Sequence, residues 1–145
     1  MHVTDLAINQ TMGMRLADSG EGHILEMPES PLLLNHIGTV HASVQFALAE
    51  ASSGEFLLRV LGRTKGLVPV VRRLEAKFRK PANGAITSSA TAAKGELDDL
   101  NDLLAGKGRA LISVSVELHD ESGTHALSAV VEWFISTIPA ASGTE

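Results

Sequence analysis

The chain has 145 residues, the size of one ordinary domain, and carries 12 Lys and Arg against 17 Asp and Glu, a formal net charge of -5. An acidic balance with aromatics at only 3% excludes a general nucleic-acid binder, which needs a basic excess and exposed rings for bases to stack on. The absence of Cys excludes disulfides, Cys-ligated zinc, iron–sulfur clusters and thiol nucleophiles, while 44% apolar residues suffice for a packed core.

No basic stretch followed by an apolar one opens the sequence, and no apolar run approaches the roughly 20 residues that cross a bilayer. The expectation is a soluble, cytoplasmic protein with no membrane partner. Without repeats or low-complexity linkers, residues 1–145 read as one domain with its core over 10–136. Residues 139–145, starting at Pro139, have the composition of a flexible tail.

Residues 3–10 carry a weak helical pattern. Residues 13–18 and 23–27 read as two short strands joined by a turn at Ser19, Gly20, Glu21 and Gly22. Pro28 and Pro31 open a loop that runs to Gly38. Residues 39–54 then read as a helix, with Thr39 as N-cap and Gly54 as stop. Val40, Val44, Ala47, Leu48 and Ala51 share one face, and the opposite side, with Ala42, Phe46 and Ala49, is hardly more polar. A helix that is apolar nearly all round is a buried one. Its one formal charge over this span is Glu50, and a carboxylate in a dry helix is costly unless paired or used.

An apolar segment over 56–61 ends at Gly62. Residues 67–79 read as a long strand in which Val68, Val70, Leu74, Ala76 and Phe78 alternate with Arg73, Glu75, Lys77 and Arg79. Pro81, Ala82, Asn83 and Gly84 turn the chain into a strand over 85–93. A short helix over 96–105 follows, with Leu97, Leu100, Leu103 and Leu104 as its stripe, Glu96, Asp98, Asp99 and Asp102 toward water, and Gly106 as its end. The last hairpin is the clearest strand signal. Ala110, Ile112, Val114, Val116 and Leu118 form one face, Asp120 to Gly123 the turn, and Leu127, Ala129, Val131, Trp133 and Ile135 the returning face. Tight turns between consecutive strands imply antiparallel pairing. The fold class is therefore α+β, a curved antiparallel sheet around one central helix, the economical way to bury such a helix.

The run Asn35-His36-Ile37-Gly38-Thr39-Val40-His41-Ala42-Ser43-Val44-Gln45-Phe46-Ala47-Leu48-Ala49-Glu50 resembles the active-site segment of hotdog-fold acyl-CoA thioesterases, of the PaaI-like group or of related uncharacterised hotdog families. That group carries an Asn, a Gly, then His-Gly-Gly and a helix with Leu-Ala-Asp or Leu-Ala-Glu. The segment Phe78-Arg79-Lys80-Pro81-Ala82-Asn83-Gly84 is similar to a turn these proteins share, and the element order agrees over 10–136. The resemblance implies a hotdog fold and hydrolysis of an acyl- or aryl-CoA thioester. It implies Glu50 as general base or nucleophile, the backbone N–H of Ala42 as oxyanion donor, and Asn35 and His41 as catalytic partners that position the reacting groups and organise the loop. It further implies contacts to substrate from Gly38, Ser43, Phe46, Arg79 and Lys80. No cofactor is implied beyond the coenzyme A of the substrate. The carboxylate and the loop come from different subunits in relatives, so a homodimer, or a tetramer built as a dimer of dimers, is expected. The chain departs from the pattern where His-Gly-Gly has become His41-Ala42-Ser43.

Each residue also has a plainer reading. Glu50 could pair with Arg59 or Lys65, His41 could satisfy backbone groups at the helix start, and Asn35 could shape a turn. His36 and His41 are poorly spaced as metal ligands and no His-Glu-x-x-His run exists, so no metal site is expected. Ser43, Ser52 and Ser53 lack a Gly-x-Ser-x-Gly setting. The basic group Arg72, Arg73, Lys77, Arg79 and Lys80 would suit coenzyme A phosphates or simply a solvated strand face. Two further functions stay open: a non-catalytic acyl-CoA or lipid binder, motivated by Ala42 and Ser43, and a hotdog hydratase or dehydratase, against which stands the lack of a His-Phe-Pro-Gly loop.

Overall fold

The computed structural model describes residues 1–18 and 22–138. A 3-10 turn at Val3–Asp5 leads into α1 (Ala7–Thr11), β1 (Arg15–Leu16) and β2 (His23–Met27), in agreement with the short helix and strands read from the sequence. The turn assigned to Ser19–Gly22 lies, but for Gly22, outside the described residues, as does the tail at 139–145. After a 3-10 turn at Pro31–Leu33 come α2 (Ala42–Leu61), β3 (Leu67–Phe78), β4 (Ile86–Ala92), α3 (Lys94–Lys107), β5 (Arg109–Asp120) and β6 (His125–Thr137).

The six strands form one antiparallel sheet in the order β1-β2-β4-β5-β6-β3. α2 lies against the face made by β2, β4, β5 and β6. The inward rows of β5 and β6 are those the alternation assigns: Ile112, Val114, Val116 and Leu118 meet Leu127, Val131 and Ile135, all fully buried. Ser52 and Ser53, on the helix side facing the sheet, fasten the two layers. Ser52 Oγ bonds Ser88 Oγ at 2.6 Å, and Trp133 Nε1 donates to Ser53 Oγ at 2.9 Å.

Expectations for three elements are corrected. α2 does not stop at Gly54. It runs on through the apolar segment at 56–61 and ends at Gly62, whose φ of 67° makes the left-handed cap. Gly54 is instead a close-packing site: a Cβ there would stand 3.3 Å from Val3 Cγ1 and 3.4 Å from Trp133 Cζ2. The helix therefore carries Glu55 and Arg59 besides Glu50, so Glu50 is not its sole charge. Its N-cap is His41, not Thr39. α3 likewise passes Gly106 and ends at Gly108.

The third correction concerns β3. A register shift between Val71 and Arg73 inserts one residue into the ladder with β6. The faces exchange across it. Leu74 and Ala76 are half-buried, whereas Val68 and Val70, which share their parity, are exposed.

Candidate active site

The loop before α2 is built by one side chain. Asn35 Oδ1 accepts from the N–H groups of Ile37 and Thr39, both at 3.0 Å, and Asn35 Nδ2 donates to Thr39 Oγ1 at 2.8 Å. This is an Asx-type turn, closed at Gly38, whose φ of 81° is one that residues with a Cβ rarely adopt. The loop is tied to its surroundings at both ends of Val40–His41. Val40 N–H donates to Ala82 O at 2.9 Å and His41 N–H to Leu33 O at 2.8 Å. The Ala82 bond sets the segment Phe78–Pro81 beside the start of α2.

The first turn of α2 leaves one backbone donor open. His41 Nδ1 accepts from Ser43 N–H at 3.0 Å, and His41 O accepts from Val44 and Gln45 N–H, both at 3.1 Å. Ala42 N–H has no partner among the described residues. It lies at the positive end of a 20-residue helix, where an oxyanion is stabilised. Ala42 opens on a pocket of about 290 Å³. Asn35, Arg79 and Lys80 line it too, with Ile37, Phe78 and Pro81 as apolar walls. A wider cleft also takes Phe78, Arg79 and Lys80 into its lining and reaches Lys77 and His125. Arg79 is held there by a 2.8 Å bond from Nε to Ser128 Oγ.

The other residues singled out in the sequence lie elsewhere. Ser43, Phe46 and Glu50 fall at i, i+3 and i+7 and make a partly exposed stripe along α2. Gly38 lines a separate pocket with Met27, Leu33 and Gly84. Glu50 is half-buried, and its carboxylate has no hydrogen-bond or ion-pair partner among the described residues, only its backbone carbonyl accepting from Ser53 Oγ at 2.7 Å. Burial pushes its carboxyl above the usual range. Arg59 pairs with Glu55, so the plainer reading of Glu50 loses that partner. Glu55 behaves oppositely. Burial works against its charge, but His2 Nδ1 at 2.7 Å and Val3 N–H at 3.0 Å bond to it. With the charges of His2 and Arg59, they draw its carboxyl below the usual range.

Within one chain two residues expected to act together do not meet. Ala42 and Glu50 are eight residues apart on a straight helix, about 12 Å along its axis. Sequence reasoning also missed Gln45, whose signal was a lone amide in the first turn of an apolar helix, and the walls at Ile37 and Phe78.

Two other chemistries fit poorly. Ser128, His125 and Glu117 cluster on the outer sheet face, but Ser128 Oγ at 3.2 Å and Glu117 Oε2 at 3.0 Å meet the same nitrogen, His125 Nε2. A Ser–His–acid relay needs both ring nitrogens. Among the described residues no three His, Asp or Glu side chains could hold a metal ion, and no helix is long and apolar enough to cross a membrane.

Residues 11–135 match the family model described as a domain of unknown function, DUF4442. The chain belongs to the DUF4442 family. DUF4442 is a thioesterase-like family, and this member has the hotdog fold. A Pseudomonas aeruginosa structure, described as a protein of unknown function and probable thioesterase, is 26% identical, with coverage of 93% of this chain and 91% of that one and a TM-score of 0.77. A Haemophilus influenzae thioesterase is 18% identical over 96% of this chain and 89% of its own, with a TM-score of 0.72. A Bacillus halodurans protein crystallised with CoA is 18% identical over 88% and 74%, with a TM-score of 0.67. The last two share the fold with this DUF4442 protein. No curated protein matches it.

Proposed function

We propose that this DUF4442 protein hydrolyses acyl-CoA thioesters at a site shared between two copies of the chain. The observation that carries the reading is Glu50, a carboxylate half-buried and without a partner among the described residues, its pKa raised, on the helix whose first N–H is likewise without a partner among them. A structural carboxylate on the same helix, Glu55, shows what a satisfied one looks like. In the proposed reaction Glu50 takes a proton from water, and the hydroxide attacks the thioester carbonyl carbon. Ala42 N–H holds the oxyanion. The carbon–sulfur bond then breaks, and the thiolate leaves with the proton returned by Glu50, giving acid and free thiol. Asn35, Gly38 and His41 keep the loop and the helix start in place. Arg79 and Lys80 face the coenzyme's phosphates at the rim.

Sharing follows from distance. One thioester cannot meet Ala42 and Glu50 of a single chain about 12 Å apart, so the stripe of Ser43, Phe46 and Glu50 would close over the pocket of a second copy. β3 supports association: it is a 12-residue sheet edge, unpaired on one side, with Val68, Val70 and Val71 exposed along it. The relative crystallised with CoA supports the ligand class. A Staphylococcus aureus thioesterase of like fold has been crystallised with a Gln and with a Glu each replaced by Ala, fifteen positions apart, the spacing of Asn35 and Glu50 here.

The test is free-thiol release from short, long and aromatic acyl-CoAs by the wild type and Glu50→Ala. Turnover lost in a folded variant supports the reading; a folded variant with full turnover overturns it. A non-catalytic acyl-CoA binder is favoured by the methyl of Ala42 where relatives of the PaaI-like group carry Gly. It predicts a raised melting temperature with acyl-CoA and no thiol release.

A further inference from the structure

We propose that Gln45 holds the linker of the substrate, its Oε1 accepting a hydrogen bond from the amide N–H two carbons from the sulfur in the cysteamine end of coenzyme A. This rests on the thioesterase reading and names a contact within the same site.

Gln45 is the fourth residue of α2 and is only 4% exposed. It lies three positions from Ala42, so both fall on one side of the helix, and both line the pocket with Phe78 and Pro81. Its Nε2 donates to Val40 O at 3.1 Å. That bond fixes the orientation of the amide, because exchanging its ends would set oxygen against oxygen. Oε1 is consequently the free end. It is buried, and among the described residues it is the one buried side-chain polar atom without a partner. A desolvated acceptor left unmatched is unfavourable, and a ligand that brings a donor relieves it.

The free atom also selects the ligand group. An acceptor repels phosphate and carboxylate and takes N–H or O–H. Residues three apart on a helix hold their Cβ atoms about 5–6 Å apart. Sulfur and two methylenes bridge a comparable gap between the thioester carbonyl, at Ala42 N–H, and the first amide N–H, at Gln45. The methylenes would then lie on Phe78 and Ile37, with the phosphates beyond at Arg79 and Lys80.

The test uses two readouts. Calorimetry with coenzyme A compares the wild type with Gln45→Met, which keeps the volume and removes the acceptor. The expected loss of affinity in the variant is at least about tenfold. The second readout needs only the wild type: S-butyryl-N-acetylcysteamine against its ester counterpart, with oxygen in place of the N–H, each scored as a competitor of coenzyme A and as a substrate. The amide form should be preferred about tenfold, and the preference should vanish in Gln45→Met. Equal coenzyme A affinity in both proteins, or no preference between the two ligands in the wild type, overturns the role of Gln45 and leaves the thioesterase reading intact. Failure of the wild type to bind coenzyme A overturns both. Should Gln45→Met not fold, the ligand pair on the wild type decides.

Discussion

Glu50 and Glu55 stand five positions apart on one helix and are treated in opposite ways by their surroundings. A general base works only when ionised, and the Glu50 carboxyl is raised above its ordinary value of 4.5 by burial. The acid limb of kcat/KM should therefore lie above the ordinary carboxylate range, with activity rising as pH rises through it. Glu50→Gln should abolish that limb together with the turnover, as steady-state rates from pH 4 to 8 would show. Glu55 and Asp120 have lowered carboxyls. For Asp120 burial opposes ionisation, and backbone N–H bonds from Asn83, Thr124 and Ser122, with the Thr124 side chain, more than offset it. A lowered folded-state pKa adds stability above the unfolded value, and that stability fades as pH falls through the folded one. Urea unfolding should show the protein losing stability below about pH 4.5, with a smaller loss in Asp120→Asn. An unchanged acid slope in that variant would contradict the assignment.

At the scale of elements, what was legible in the sequence is what depends on strict local periodicity. β5 and β6 alternate without interruption over their inward rows, so their faces followed directly from the pattern. The helix ends were misread because a glycine letter does not carry its φ. Gly62 and Gly108 take left-handed conformations and stop their helices. Gly106 is helical with open space where its Cβ would stand, and Gly54 is helical beside Val3 and Trp133. The face exchange in β3 left only a local mark, the break in alternation at Val70-Val71-Arg72-Arg73, because the bulge itself is set by pairing with β6. In the candidate site, Asn35 as the shaper of a turn and His41 at the helix start were legible as short-range chemistry, whereas Gly38, expected to touch substrate, lines a separate pocket. Gln45 was not legible, because its burial and its unmatched oxygen come from the Val40–Ala82 side of the fold. Gly54 yields a direct check. Gly54→Val would press on Val3 and Trp133 and should cost about 1–3 kcal/mol in denaturant unfolding.

For the molecule as a whole, the proposed sharing of one site between two chains predicts a second copy, with the edge strand β3 as a surface for it. Sedimentation should give a dimer at micromolar concentration. Activity per chain should fall on dilution below the dissociation constant, whereas a self-sufficient chain would keep it constant. The placing of β3 also bears on how the protein is made. β3 follows α2 directly in the chain, yet its neighbour is β6, the last strand among the described residues, with Leu67 opposite Thr137. A nascent chain leaving the ribosome therefore exposes the apolar helix α2 and the unpaired strand β3 well before β6 emerges. The sheet can be completed only after synthesis reaches its final strand, and this long-range closure should make refolding slower than that of helical domains of the same size. Chains truncated within β6 should not fold and should be sequestered by chaperones.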